Sequence, residues 1–293
     1  MRAVTYRSLH SAYRLGLGIA TLALCLAGLF VAPTHAHATT LADTLKSMQP
    51  ELDRSPFGRP LVLRARQGAD GLEGEVFAIV DHSPSEVSRR LALPQAWCAA
   101  MLLHLDNRSC SVDGSRSPPA LTLGVVRKFD QPVQSANRIV FAFTVHDASP
   151  SHFEAQLFAA SGPLGTSDYR IRLEAIPVGE HRSFVHFAYA YRTSTLTDLG
   201  LQAYLATLGR TKVGFSEVGK NPDGTAELVR GAQGLLERNA IRYFLAFDAF
   251  LDGKDPLAWR SAWYTSTEKY ARQLHEVDRQ TYLRLKAADA LAP

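Results

Sequence analysis

The chain has 293 residues, a formal net charge of +4, 46% hydrophobic and 20% charged residues. That composition excludes intrinsic disorder, collagen-like repeats and a multi-span membrane protein. Three cysteines are too few for a disulfide scaffold, and no Lys/Arg run interleaved with aromatics supports nucleic-acid binding.

Residues 1–14 hold Arg2, Arg7 and Arg14 and no acid, Leu15 to Ala32 is almost wholly apolar, and Ala36-His37-Ala38 follows. This basic, apolar, small-residue order is that of a secretory signal cleaved after Ala38, which predicts a secreted or periplasmic chain starting at Thr39. The alternative is an uncleaved membrane anchor, because an apolar run of this length nearly spans a bilayer. Leu24 before Cys25 argues against a lipoprotein signal. Removal of 38 residues leaves 255, with 29 basic and 28 acidic side chains and a net charge near +1. The basicity therefore belongs mostly to the targeting segment. Cys98 and Cys110 remain, an even pair in an oxidising compartment. A disulfide between them closes a loop around His104 to Asn107 and contributes about 3 kcal/mol. Two free thiols are the alternative, and no protease signature surrounds Cys98 to make it a nucleophile.

In chain order, residues 39–60 carry Pro50, Pro56 and Pro60 and predict a short helix and a loop. Gly74 to Val80 is a strand by its branched and aromatic content. Ser83 then fits a helix cap, with Pro84 at the first helical position and Glu86 three residues after the cap. Pro94 breaks that helix, and Gln95 to Leu105 predicts a second, with Trp97, Met101, Leu102 and Leu105 inward. Five strands follow: 121–129, 138–146, 153–160, 167–176 and 183–191. Their short connections imply antiparallel hairpins. Tyr169, Ile171 and Leu173 alternate with Asp168, Arg170, Arg172 and Glu174, which gives one covered and one wet face. Val185, Phe187, Tyr189 and Tyr191 share a face, with Phe184, His186 and Ala188 on the other. Leu196–Leu208 predicts a helix stopped at Gly209, and Gly219 to Gly224 a loop. A long helix follows from about Glu227 to Leu251. Leu235, Leu236, Tyr243, Phe244, Phe247, Phe250 and Leu251 cover half of its circumference, with Glu237, Arg238, Arg242, Asp248 and Asp252 on the remainder. Trp263, Tyr270 and Val277 recur every seven residues, which predicts one amphipathic helix over Leu257–Leu285. No repeat or linker separates two domains, so residues 39–293 form one domain, with 255–293 as a helical extension.

The order is α+β: a strand, two short helices, antiparallel strands and a long C-terminal helix. With Gly74–Leu105 and Gly231-Ala-Gln-Gly-Leu-Leu-Glu-Arg238, it resembles the START-like helix-grip superfamily of lipid-transfer domains and polyketide cyclases over Leu61 to Leu251. The resemblance implies a curved antiparallel sheet gripping the long helix around a hydrophobic pocket. The signal segment, the cysteine pair, the Leu196–Leu208 helix and the tail after Asp252 depart from the minimal pattern.

No motif names a reaction. His275-Glu276-Val277-Asp278 lacks the second histidine of a zinc protease, and no nucleophile elbow, phosphate loop or dinucleotide fingerprint occurs. His146, Asp147, His152 and Glu154 are the densest set of metal-ligand types, and a solvated hairpin end accounts for them as well. His104 is either a base in a cavity or a packed histidine. Tyr189 and Tyr191 either orient a ligand's polar group or bond to backbone within the core. Either one of Arg238 and Arg242 meets a ligand's carboxylate or phosphate at the pocket mouth, or both are solvated or paired with acids such as Glu237 or Asp248. Asn107-Arg108-Ser109 matches a glycosylation sequon. The cavity candidates are Trp97, Tyr169, Ile171, Phe187, Tyr189, Tyr191, Arg238, Tyr243 and Phe247, with no catalytic residue, metal or cofactor assigned. The expected partner is a hydrophobic small molecule or lipid, with transient membrane contact a further option. The alternatives are a cyclase- or hydrolase-type enzyme in the same pocket, and an interaction module docking through the C-terminal helix.

Overall fold

The computed structural model describes residues 40–68, 71–194 and 211–291. Helix α1 (Leu41–Asp53) starts at Thr40, whose hydroxyl accepts from the Asp43 amide at 3.2 Å. Strands β1 (Leu61–Gly68) and β2 (Gly71–Val80) form a hairpin. Helix α2 (Pro84–Leu91) is capped as expected by Ser83, which accepts from the Glu86 amide at 3.3 Å, and α3 (Pro94–Met101) follows. The sheet continues through β3 (Asn107–Asp113), β4 (Ala120–Val125), β5 (Asn137–Ser149), β6 (His152–Ser161), β7 (Ser167–Val178) and β8 (Arg182–Arg192). A separate hairpin, β9 (Glu217–Lys220) and β10 (Ala226–Leu228), leads to the long helix α4 (Gly231–Asp252). Three helices close the chain: α5 (Pro256–Glu268), α6 (Ala271–Leu274) and α7 (Arg279–Ala287), with a last short strand β11 (Ala290–Leu291).

The main sheet runs β1-β2-β8-β7-β6-β5-β4-β3-β11. Every pairing is antiparallel except β11 on β3. The last long strand, β8, lies beside β2 rather than at an edge, and α4 lies against β1, β2 and β8. A curved sheet holding one long helix across it, with two short helices after the first long hairpin, is the helix-grip arrangement. Gly74 makes the close approach possible: a Cβ there would sit 2.8 Å from the Ala240 methyl of α4. The main core lies between the sheet and α4, where Val76, Phe141, Phe153, Ile171, Phe187, Phe244 and Phe247 are buried. A second small core lies on the other sheet face, where Leu41, Met48 and Leu52 of α1 cover Val62, Phe77 and Phe184.

Several expectations change. Strand β1 and strand β3, which holds Cys110, add to the strands that the sequence pattern marks. The expected helix 196–208 lies outside the described residues. The expected loop 219–224 is the tip of the β9–β10 hairpin, so α4 begins at Gly231, not Glu227. The helix over 257–285 is instead three pieces, because His275 is extended and Asp278 starts a new helix by accepting from the Thr281 amide at 2.9 Å. Its rings turn inward: Trp263, Leu274 and Tyr282 belong to the main core. The largest revision concerns the polar side of α4. Glu237, Arg238, Arg242 and Asp248 are buried rather than solvated. Glu237 accepts from the Phe215 and Ser216 amides at 2.6 and 3.0 Å. Arg238 donates to the Val213 carbonyl at 3.1 Å. Arg242 pairs with Glu276 at 2.5 Å, and Asp248 with Arg59 at 2.5 Å. The helix is covered on both sides, by the sheet and by residues 211–216 with the C-terminal helices, so charges become partners for those layers.

Candidate functional site

The alternation of β7 and β8 decides which rings meet α4. Tyr169, Ile171 and Leu173 of β7 and Val185, Phe187 and Tyr189 of β8 face the helix and are buried, as the spacing predicts. Two groups of rings result. Around α3, the Trp97 indole meets Phe247 edge-on at 4.7 Å and Phe143 at 5.7 Å, and Phe247 meets Phe187 at 5.7 Å. At such separations rings are in contact. The grip is filled there, and the Trp97 N–H is satisfied by the Leu91 carbonyl at 2.9 Å.

The second group is made of tyrosines. Tyr169 stacks on Tyr191 at 5.3 Å, Tyr191 meets Tyr189 at 5.5 Å, and Tyr189 meets Tyr243 at 5.3 Å. The Tyr169 hydroxyl donates to the Thr166 hydroxyl at 2.8 Å. The Tyr243 hydroxyl lies 3.4 Å from the Asn107 amide nitrogen. The Tyr189 hydroxyl has no hydrogen-bond partner among the described residues, although only 9% of the residue is exposed. Burial, then the neighbouring tyrosines, holds its pKa well above the ordinary value, so it is a neutral donor and acceptor. Ile171 packs within the same core, and Arg238 donates to the Val213 carbonyl.

Tyr243 also joins this cluster to His104, whose ring stacks on it at 4.7 Å. The His104 Nδ1 accepts from the Asp106 amide at 3.2 Å, so the proton sits on Nε2. That nitrogen is buried with no partner among the described residues. Burial, then the charges of Arg242 and Lys286, holds the imidazole neutral. Because Nδ1 meets a backbone amide, not a carboxylate, His104 is set up to donate one hydrogen bond rather than to act as a carboxylate-oriented base. Asn107, read as a sequon asparagine, is fully buried and donates to the Met101 carbonyl at 2.7 Å, so the folded chain presents no acceptor there.

Cys98 and Cys110 form the disulfide, with Cα atoms 5.5 Å apart, joining α3 to β3. Beside it, the Lys286 ammonium is buried, donates to the His104 and Asn107 carbonyls at 2.9 and 2.7 Å, and pairs with Asp289 at 2.5 Å. Asp289 also takes Arg108 at 2.6 Å.

The opposite sheet face is polar. Glu75 meets His186 at 2.9 Å, His186 meets Arg172 at 3.1 Å, and Arg172 lies 3.4 Å from Glu154. His152 bridges Glu174 at 3.0 Å and Asp147 at 2.9 Å. Burial opposes the His152 charge, but those two carboxylates outweigh it and raise its pKa. Of the residues singled out as metal-ligand types, Asp147, His152 and Glu154 form ion pairs, and among the described residues no group of three or more such side chains could hold a metal ion. Two depressions lie on this face, one of about 520 Å³ beside Ala188 and Ala190 and one of about 580 Å³ beside Thr40 and His186.

No family model and no curated protein matches the chain. Among solved structures it is similar to truncated norcoclaurine synthase from Thalictrum flavum, at 14% identity and a TM-score of 0.33 over 50% of this chain and 88% of that one. It is similar to the Zhui aromatase/cyclase from Streptomyces sp. R1128, at 11% identity and a TM-score of 0.33 over 71% and 96%. It is also similar to the protein TTHA0849 from Thermus thermophilus, at 14% identity and a TM-score of 0.34 over 46% and 84%. At these values the likenesses carry no argument about activity, and the fold assignment stands on strand order and the placement of α4.

Proposed function

We propose that the protein is exported, is processed after Ala38, and binds a hydrophobic small molecule or lipid between the sheet and α4 at the tyrosine end. The observation that carries this is the Tyr189 hydroxyl, without a protein partner among the described residues while its ring touches Tyr191 and Tyr243. A hydrogen bond from a ligand's polar group to this hydroxyl would contribute about 0.5–1.5 kcal/mol. The tyrosine rings supply the apolar wall. Because these rings are in mutual contact, the ligand enters by moving them apart rather than by filling a preformed closed cavity.

Binding of the neutral fluorophore N-phenyl-1-naphthylamine, together with native mass spectrometry of the purified protein, tests this. Saturable binding is expected. Tyr189→Phe should weaken it about fivefold, the worth of one hydrogen bond, while leaving thermal stability unchanged or raised. No saturable binding and no co-purifying ligand would overturn the proposal. The enzymatic alternative has one observation in its favour, the unpartnered Nε2 of His104, and against it the lack of a carboxylate partner.

A further inference from the structure

The polar face of the sheet has a built trough. Outward-facing residues of β8 shrink along the strand, from Phe184 and His186 to Ala188 and Ala190. The Phe184 end is covered by α1, and the alanine end is open. The register places long side chains on both sides of the two methyl groups. Ala190 lies between Glu73 of β2 and Arg170 of β7, and Ala188 between Glu75 and Arg172. One strand further out, Arg66 of β1 stands opposite Glu73, and Gln156 of β6 opposite Arg172. Arg192 and Asp168 lie at one end, and Gly68 and Gly71 also line it. The result is a depression of about 520 Å³ lined by four arginines and two carboxylates.

The arginines differ in how far they are committed. Arg66 pairs with Glu73, and Arg192 lies 3.6 Å from Asp168. Arg172 is shared among Glu154, Glu174 and His186. Arg170 lies over the Phe158 ring at 5.9 Å and has no carboxylate within ion-pair distance among the described residues. A planar guanidinium held against a ring is oriented, and it offers its N–H fork to an oxyanion. The alanine floor lets that oxyanion sit between Arg170 and the paired Arg66 and Arg192.

We propose that this trough binds a phosphoryl group. The Arg170 fork, with three carboxylate-paired arginines around the same small floor adding positive charge, matches the several oxygens of a phosphate. The phosphate can come from a soluble phosphate ester or from the headgroup of an anionic lipid. The site is separate from the tyrosine cluster and does not rest on it, although Tyr191, whose ring meets Tyr169 and Tyr189, is also among the residues that line the trough.

Isothermal titration of the full chain with glycerol 3-phosphate, with monomeric dihexanoylphosphatidylglycerol and with monomeric dihexanoylphosphatidylcholine tests the proposal. Saturable binding of at least one of the first two is expected, with a dissociation constant of about 1 mM or tighter and weakening as salt rises. Glycerol 3-phosphate binding as tightly as the lipid identifies a soluble ester, and tighter binding of the lipid identifies a headgroup. Ala190→Leu, which fills the floor without changing charge, should weaken binding at least tenfold, and Arg170→Gln should do so independently of how Ala190→Leu folds. Tyr189→Phe should leave it unchanged, so failure here and failure at the tyrosine site are distinguishable. Absence of saturable binding, equal binding of the phosphatidylcholine, or affinity unaltered in Arg170→Gln overturns the proposal.

Discussion

Phe247→Ala measures whether the grip is filled at its centre. Phe247 is 1% exposed, lies edge-on to Trp97 at 4.7 Å and contacts Phe187 at 5.7 Å. Removing such a ring loses its transfer free energy and leaves a cavity whose walls collapse only in part, and Phe→Ala substitutions of this kind cost about 3–5 kcal/mol. Loss of two aromatic pairs places the effect in the upper half, at about 4 kcal/mol. For a domain of this size that lowers the melting temperature by about 8–16 °C. Urea unfolding by circular dichroism, with an unchanged denaturant slope, gives the free-energy difference directly. The cavity should also be dry and admit benzene, which the parent protein should not bind there. A loss below about 1 kcal/mol would refute the reasoning, because it would mean that the rings near Trp97 are not close-packed and that the centre of the grip is open.

Two further outcomes follow from the disulfide edge. Replacing both Cys98 and Cys110 by alanine should cost about 3 kcal/mol in the same urea assay, the loop-closure value for a separation of 12 residues; no change on replacement, or no shift on reduction of the parent, would show that the bridge does not constrain the unfolded chain. For Lys286, burial pushes the ammonium down to about 8 from 10.5. Between those values the unfolded chain holds a proton that the folded chain has released, so the parent should gain stability relative to Lys286→Met as the pH rises from 8 to 10, by on the order of 2 kcal/mol, with a level difference below pH 8. Paired urea melts at pH 7 and 10 check this, and a parent that loses ground over that window is the refuting result.

The layout of β7 and β8 was legible because strict alternation marks one covered face, and Tyr169, Ile171, Phe187 and Tyr189 all lie where the spacing puts them. The Ser83 cap was legible because capping is local chemistry. The environment of α4 was not. A helical wheel assigns one buried face, and it cannot register a second layer supplied by residues 211–216 and by helices more than ten residues away in sequence. Glu237, Arg238 and Arg242 look like a solvated stripe on the wheel, yet they bond to Phe215, Val213 and Glu276. The break of the last helix was hidden by its heptad: Trp263, Tyr270 and Val277 keep seven-residue spacing across a turn, because Asp278 starts a new helix that returns its rings to the same core. The trough lay in plain sight as Ala188 and Ala190 on a strand flanked by arginines, but small residues on a wet face carry no periodicity signal, and their depth depends on which strands the sheet order makes neighbours.

Polar contacts fasten the grip at both ends. The end holding Trp97 is tied by the disulfide and by the indole bond to Leu91, while Tyr282 bonds the Leu103 carbonyl and Lys286 bonds the His104 and Asn107 carbonyls, in the loop that also meets Tyr243. Moving those rings would break several buried polar contacts at once, each costing about 1–3 kcal/mol. The tyrosine end is held by the Tyr169–Thr166 bond at 2.8 Å and the long Tyr243–Asn107 contact at 3.4 Å. The Tyr189 hydroxyl has no protein bond to lose among the described residues. Under the proposed binding, a ligand that donates or accepts at Tyr189 gains a hydrogen bond there without competing against one among the described residues, worth about 0.5–1.5 kcal/mol.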